Sequence, residues 1–430
     1  MLFFGSIVTY FERYVTALAM DPIKRDLGLT DSQLGLLTGI AFALFFSLLG
    51  FPLARIADRG YRVRLIAVTI AISSLAVALC GAARSFTQLI VIRVGVAAGE
   101  TGFLPAANSL VAGSFPRAER PKALSQYLLG GSVGFMIGYA AAGWLIEKVG
   151  WRVTFAVAGC PGAVLSILIW LTLRDHRTRS SSDQNRGARG PSTTTQSSLA
   201  IFFGTVWAST TFRQLMYSYT ALSFVTSGYS QWLPTFFIRS FGASVTNVGV
   251  WSALVFGTAG ICGMFFGGRL FTRYAASREA LQLRAMAVLL GIVALLKVTL
   301  CLSHSIVAAF AISGSITLLT SATSATFFSI VQSLTPDNMR AQATALLLLL
   351  GNLIGLGLGP LAVGALSDVM QTAFGADSLR YAVLAFAPGY VWCGWYLWRG
   401  ARTVTCELAN VDRSFAGQTR RVEAVSSVHL

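Results

Sequence analysis

Charge is what this 430-residue sequence has little of. Asp, Glu, Lys and Arg make up only 12% of it, against 54% apolar residues and a mean hydropathy of +0.66. That composition excludes a soluble globular chain. No P-loop signature, Gly-x-Ser-x-Gly elbow or metal-spaced His or Cys cluster occurs, which argues against an ATP-driven pump and against an enzyme, and implies no cofactor and no metal. The cysteines, Cys80, Cys160, Cys262, Cys301, Cys393 and Cys406, stand singly, with no paired spacing for a disulfide or a metal; they read as packing residues. The alternation of barrel strands is also missing. The apolar stretches run to roughly 20 residues, the length of a membrane-crossing helix.

Six such stretches fall at about 2–20, 34–57, 65–83, 89–111, 123–146 and 153–173. Residues 174–198 are rich in Ser, Thr, Arg and Gly and lack hydrophobic periodicity, the composition of a flexible linker. Six further stretches follow at about 215–238, 248–271, 285–302, 306–331, 343–366 and 381–398. The expected organisation is an all-α integral membrane protein of twelve transmembrane helices in two six-helix pseudo-symmetric bundles. Residues 1–173 and 211–400 form the bundles, 174–210 a cytoplasmic linker and 401–430 a disordered cytoplasmic tail. Met1 abuts the first stretch. The missing charged leader, the Glu12-Arg13 interruption and the lack of a small-x-small site argue against a cleaved signal peptide.

The net charge of +16 raises the question of nucleic acid, and the positions of the charges answer it. With the N-terminus inside, the inner loops hold Arg59, Arg62, Arg64, Arg117, Arg120, Lys122, Arg269, Arg273, Arg278, Arg284 and Arg340, besides the linker and tail arginines. The outer loops hold only Lys24, Arg25, Arg84, Lys148, Arg152, Arg239 and Arg380. This asymmetry places both termini in the cytoplasm, the inner membrane being the expected location, and leaves no reason to invoke nucleic acid.

The two halves repeat. Gly130, Gly134, Gly138, Gly143, Leu145 and Glu147 recur as Gly351, Gly355, Gly359, Gly364, Leu366 and Asp368, each displaced by 221 residues. Pro116 and Arg120 recur as Pro336 and Arg340, and the Ala54 to Arg59 loop recurs as Gly268 to Arg273 with Thr272 in place of Asp58. Six plus six helices in parallel repeat is a transporter architecture. The small residues would let backbones approach closely where the halves rock.

Within the apolar stretches the charges are few and placed. Arg93 and Glu100, seven residues apart, lie within about 20° of each other on one helix face. Such a face cannot look at hydrocarbon, so it lines a protein interior or a water-filled cavity. Glu12 and Arg13, in the first stretch, are its natural partners. Arg93 cannot deprotonate and serves as counter-ion or anion ligand. A static ion-pair network that only orients helices is the plainer alternative. In the second half the tenth stretch carries Ser313, Thr320, Ser324 and neighbouring hydroxyls, and the seventh carries Tyr229, Gln231 and Trp232. Tyr229, Gln231, Trp232, Thr320 and Ser324 are candidates for a cavity wall, against even odds that the hydroxyls serve helix packing and the aromatics an interfacial belt. Lys297 is expected to snorkel, and Glu147 and Asp368 to be interfacial anchors.

With these residues in view the chain resembles the major facilitator superfamily, and within it the bacterial spinster-like members. The motif after the second helix appears as Ala54-Arg-Ile-Ala-Asp58-Arg59-Gly60-Tyr61-Arg62; the run Asp21 to Gly39, Gly-Glu-x-Gly at Gly99 to Gly102, and Gln231-Trp232-Leu233-Pro234 are more specific. Where such proteins usually carry Asp-Arg in the first helix, this chain has Glu12-Arg13. The resemblance implies secondary transport by alternating access, with proton coupling at Glu12, Arg93 and Glu100, Arg13 beside them. Asp58, at the cytoplasmic end of the second stretch, can accept from a helix N-terminus or an arginine, so Asp58, Arg59, Arg62 and Arg120 are read as a gate, with the positive-inside bias the alternative for Arg62. The implied partners are a small organic or lipid-like substrate, protons and membrane lipid, with the protein a monomer. Two other readings stay open: an organic-anion/proton symporter whose Arg93 binds the substrate anion, and a transport-inactive sensor or scaffold of the same fold.

Overall fold

The computed structural model describes residues 1–58, 62–114, 116, 119–172, 199–275, 278–336 and 339–427. Helix α1 (Leu2–Leu27) stops at Gly28, whose φ of 64° is left-handed, a conformation glycine adopts without strain. Thr30 then opens α2 (Asp31–Thr38) with a reciprocal cap: its hydroxyl accepts from the Gln33 amide, and the Gln33 side chain accepts from the Thr30 amide. Helices α3 (Ile40–Asp58), α4 (Arg62–Cys80), α5 (Phe86–Ser114) and α6 (Arg120–Thr172) complete the first half. Helix α6 is two arms meeting at Gly150, φ 79° and ψ 163°.

Helices α7 (Leu199–Ala208), α8 (Thr210–Phe241), α9 (Val245–Ala275), α10 (Glu279–Leu302) and α11 (Ile306–Leu334) follow. Helix α12 (Arg340–Leu350) continues through a π-helical turn, Gly351–Leu356, into α13 (Gly357–Phe374), and α14 (Ser378–Ala385) into α15 (Ala387–Ser427). Taking α2 with α3, the arms of α6 separately, α12 with α13 and α14 with α15 gives twelve passes, α7 standing apart. There is no strand among the described residues. Leu171, Trp144, Trp170, Trp207, Trp251 and Val307 are exposed, the outward apolar face that hydrocarbon requires.

The repeat in the sequence is a packing device. A Cβ on Gly134 or Gly138 would meet the backbone of Ile7 or Phe11, and one on Gly130 the Phe3 carbonyl, so the first arm of α6 lies tightly along α1. In the second half Gly355 and Gly359 approach Ser223, Phe224 and Gly228 of α8 in the same way. These glycines therefore hold each half together and do not sit where the halves meet. Gly143 and Gly364 do sit there, against Val245 and Gly249 of α9 and against Asp31 of α2.

Two stretches differ from the composition reading. Residues 199–208, placed in the linker, form α7 with Phe202 and Val206 buried, because the run Leu-Ala-Ile-Phe-Phe is apolar enough to pack. The 401–430 tail continues α15 to Ser427 rather than being disordered. Glu407 explains the start of that continuation: its carboxylate accepts from the Thr211 amide (3.1 Å) and the Ser209 hydroxyl (2.5 Å) at the N-terminus of α8, where carboxylates are favoured.

Candidate functional site

Adjacent positions on a helix point about 100° apart, and on α1 this separates the two charges. Glu12 turns into the first half and is fully buried; its Oε1 accepts from the Ser74 hydroxyl of α4 at 2.6 Å. Gly162 of α6 closes over the pair, a Cβ there falling 2.8 Å from Glu12 Oε1. Glu12 Oε2 has no hydrogen-bond partner among the described residues. Arg13 turns the other way and donates through Nε (2.9 Å) and Nη2 to Glu100 Oε2 on α5. Its side chain is 33% exposed, whereas that of Glu100 is 0%. The guanidinium lies 5.5, 5.3 and 5.8 Å from the ring centroids of Tyr10, Phe42 and Phe46, a cation–π setting.

Arg93 shares the buried face of α5 with Glu100, as the seven-residue spacing predicts, yet the two do not pair. Arg93 donates through Nη1 to the Thr16 hydroxyl (3.0 Å) and lies 5.5 Å from the Phe42 ring. Arg93 Nε and Glu100 Oε1 are left without partners among the described residues. The three helices thus hold one closed ion pair, Arg13–Glu100, together with two ionisable groups without an ionic partner among the described residues, Glu12 and Arg93. Orphaned buried polar atoms on all three sides are unusual. They leave the cluster room to accept a proton or to exchange partners.

A second charged network joins the halves at the end of the molecule away from the termini. Arg239, at the end of α8, donates to Asp21 (Nε, 2.8 Å) and to Asp31 (Nη1 and Nη2, 2.9 and 3.0 Å). Lys24 pairs with Asp31 at 2.6 Å and Arg25 with Asp21 at 2.8 Å. Asp368 of α13 accepts from the amides of Asp31 (2.9 Å) and Ser32 (2.7 Å), the first turn of α2. Glu147 of α6 accepts from the Thr246 amide (2.9 Å), the first turn of α9. The repeat-related acids Glu147 and Asp368, expected to be interfacial anchors, each cap a helix belonging to the opposite half. Carboxylates at helix N-termini suit the dipole and the free amides there. Along α2, Gly35 and Gly39 press against Pro360, Leu361 and Gly357 of α13. Among the described residues this seam reaches inward to Ala43 against Gly357 and Met136 against Gly257.

The second-half candidates divide. Tyr229 and Trp232 are buried within their own half: Tyr229 donates to the Ser313 hydroxyl (3.0 Å) and Trp232 Nε1 to the Pro360 carbonyl (2.8 Å). Each ring has an interior hydrogen-bond partner, so neither serves as an interfacial belt. Gln231 is half-buried and meets Met20 across the seam at 3.9 Å. Thr320 returns its hydroxyl to the Ile316 carbonyl (2.8 Å), the packing alternative. Ser324 does line a small, partly open pocket, with Ser218, Tyr219, Met286, Phe327 and Phe328, whose wall is almost wholly apolar. Lys297 does not snorkel; it is buried, for reasons given below. Of the expected gating residues, Arg59 and the side chains of Asp58, Arg62 and Arg120 lie outside the described residues. Sequence reasoning missed Arg239, Asp21, Asp31 and Ser74. The signal for the first three was available, since they are charges concentrated at the outer ends of spans in a chain poor in charge.

Two bundles of six passes related by repeat, with ionisable groups buried at mid-span, define a multi-pass membrane protein of the transporter type. The chain belongs to the Major Facilitator Superfamily, whose description matches residues 2–360. It is 29% identical to an MFS-type efflux pump of Mycolicibacterium smegmatis over 88% of this chain and 85% of that one. A hexuronate transporter of Bacillus subtilis is 23% identical over 90% and 91%. Among solved structures, the chain is similar to a bacterial homolog of the human lysosomal transporter Spinster in its inward-facing, unoccupied conformation. The TM-score there is 0.81 and the identity 25%, over 94% of this chain and 96% of that one.

Proposed function

We propose that this protein is a proton-coupled secondary transporter of a small organic or amphipathic substrate, working by alternating access. The observation that carries the reading is the mid-span cluster, in which the Glu100 carboxylate, itself shut off from solvent, is held by the half-exposed Arg13. A charge buried at this depth is functional by default. Arg13 stands between substrate and acid: whatever draws its guanidinium away leaves Glu100 to take up a proton, and a proton on Glu100 frees Arg13. Glu12, with one oxygen bonded to Ser74 and the other unpartnered, is the second proton acceptor. Its proton is released when α1 moves against α4.

With both termini in the cytoplasm, the closed seam at the far end fits an inward-facing state, the conformation of the similar Spinster homolog. The apolar lining of the small pocket beside Ser324 suits an apolar group of an organic substrate better than a small ion. The organic-anion reading gains from the exposure of Arg13 and from the relative named a hexuronate transporter. It shifts the anion ligand from Arg93, only 4% exposed, to Arg13.

The test is proton flux in proteoliposomes under an imposed pH gradient, with lysophospholipids, hexuronates and other organic anions offered in turn. Wild type is compared with Glu12→Gln and Glu100→Gln. Substrate-dependent flux that is lost in either variant supports carboxylate coupling. Uptake that proceeds in both variants with unchanged dependence on pH overturns it, and ligand binding without flux in wild type returns the protein to the sensor class.

A further inference from the structure

Among the described side chains Lys297 on α10 is the one lysine inside a bundle; Lys24 and Lys148 lie at the far end, and Lys122 is in the first turn of α6. It is 1% exposed, and its Nζ has no hydrogen-bond partner among the described residues. The amine is set on the face of Tyr229 of α8 and lies 5.5 Å from the ring centroid of Tyr390 of α15. Tyr229 donates its hydroxyl hydrogen bond to Ser313 of α11 at 3.0 Å, and Tyr390 lies 3.5 Å from the Thr226 hydroxyl. The only other titratable neighbour is Cys301, one turn along α10, which donates to the Arg380 carbonyl of α14 at 3.6 Å. No carboxylate pairs with Lys297, and no titratable group of α9 touches it, among the described residues.

The position repeats the first half. Tyr229, Lys297 and Ser313 lie on α8, α10 and α11, the second-half counterparts of α1, α4 and α5, which carry Glu12, Ser74 and Arg93. Where the first half has an acid on its first helix facing a hydroxyl on its third, the second half has an aromatic on its first facing an amine on its third. A cation without a counter-ion in such surroundings is expensive. A neutral amine is not, and the two rings can stabilise the ammonium when it forms.

From this juxtaposition we propose that Lys297 is a proton-binding site of the second half, alternating between amine and ammonium during the transport cycle. The inference rests on the transporter reading but not on Glu12 or Glu100.

The experiment uses the full chain carrying Lys24→Arg, Lys122→Arg and Lys148→Arg, so that Lys297 is the sole lysine and its cage is untouched. Grown with [15Nζ]lysine and reconstituted in phosphatidylcholine liposomes, it is followed by solid-state NMR over about pH 5 to 9, where a fully hydrated lysine stays ammonium. The expected result is a Lys297 signal that moves between the ammonium and the amine position within that range. A signal fixed in either form throughout overturns the proposal. Glu12→Gln in the same background separates the two readings. Switching of Lys297 with flux unaffected by Glu12→Gln removes the Glu12 centre alone, and a fixed signal with flux lost in Glu12→Gln removes the Lys297 site alone.

Discussion

Replacing Arg239 should open the far end of the molecule. Its guanidinium makes three hydrogen bonds to Asp21 and Asp31 across the seam, and hydrogen bonds to charged groups are each worth about 1.5 to 3 kcal/mol. The sum is not the effect. Asp31 keeps Lys24 and Ser367, Asp21 keeps Arg25, and Arg239 is 14% exposed, so solvent screens part of the loss. A net shift of about 2 to 3 kcal/mol in favour of the open form is reasonable, roughly 30- to 150-fold in the equilibrium. If wild type is open about one part in a hundred, Arg239→Ala would be open between about a fifth and three fifths of the time. Arg239→Lys, a point charge that cannot grip two carboxylates, should fall between. The measurement is a spin–spin distance distribution between labels at Val149→Cys and Phe374→Cys, exposed positions on the two halves at that end, in a background lacking the native cysteines. A second, longer population growing in Arg239→Ala is expected. A distribution identical to wild type would show that the Glu147 and Asp368 caps and the glycine seam close this end unaided, and the ion-pair argument would fail.

Two further outcomes test the cluster and the seam. Arg13→Ala strands the Glu100 carboxylate inside the protein and should lower thermal stability in detergent by the equivalent of about 3 to 5 kcal/mol, while Arg13→Ala with Glu100→Gln should recover most of it; equal losses in the single and double variants would mean that packing against Tyr10, Phe42 and Phe46, not charge, is what Arg13 contributes. Gly249→Leu places carbon against the Tyr139 carbonyl and Gly143 and should lengthen the Val149–Phe374 distance, whereas Gly134→Leu, which presses on Ile7 within one half, should lower the melting temperature and leave that distance alone.

How much of this was legible beforehand depends on the physics at each place. Hydropathy marks the twelve passes because lipid admits nothing else. The period of the helix puts Arg93 and Glu100 on one face, and the 221-residue shift identifies Glu147 with Asp368 and one glycine stripe with the other. None of these needs a partner to be known. The snorkelling expected of Lys297 failed because hydropathy locates a residue along a span but not around it, and α10 turns that position inward onto Tyr229. For the same reason hydropathy could not give Tyr229 and Trp232 their interior partners, the Ser313 hydroxyl and the Pro360 carbonyl.

What the sequence alone determined is therefore the class of protein, its repeat and its short inventory of buried charge. What the tertiary structure decided is the pairing: Arg13 with Glu100, Glu12 with Ser74, Arg239 with two aspartates of the other half, and Glu147 and Asp368 each on a foreign helix start. Periodicity is a property of one helix. An ion pair in a low-dielectric interior is settled by which neighbours lie within about 3 Å, and that depends on how separate helices rotate and cross when they pack.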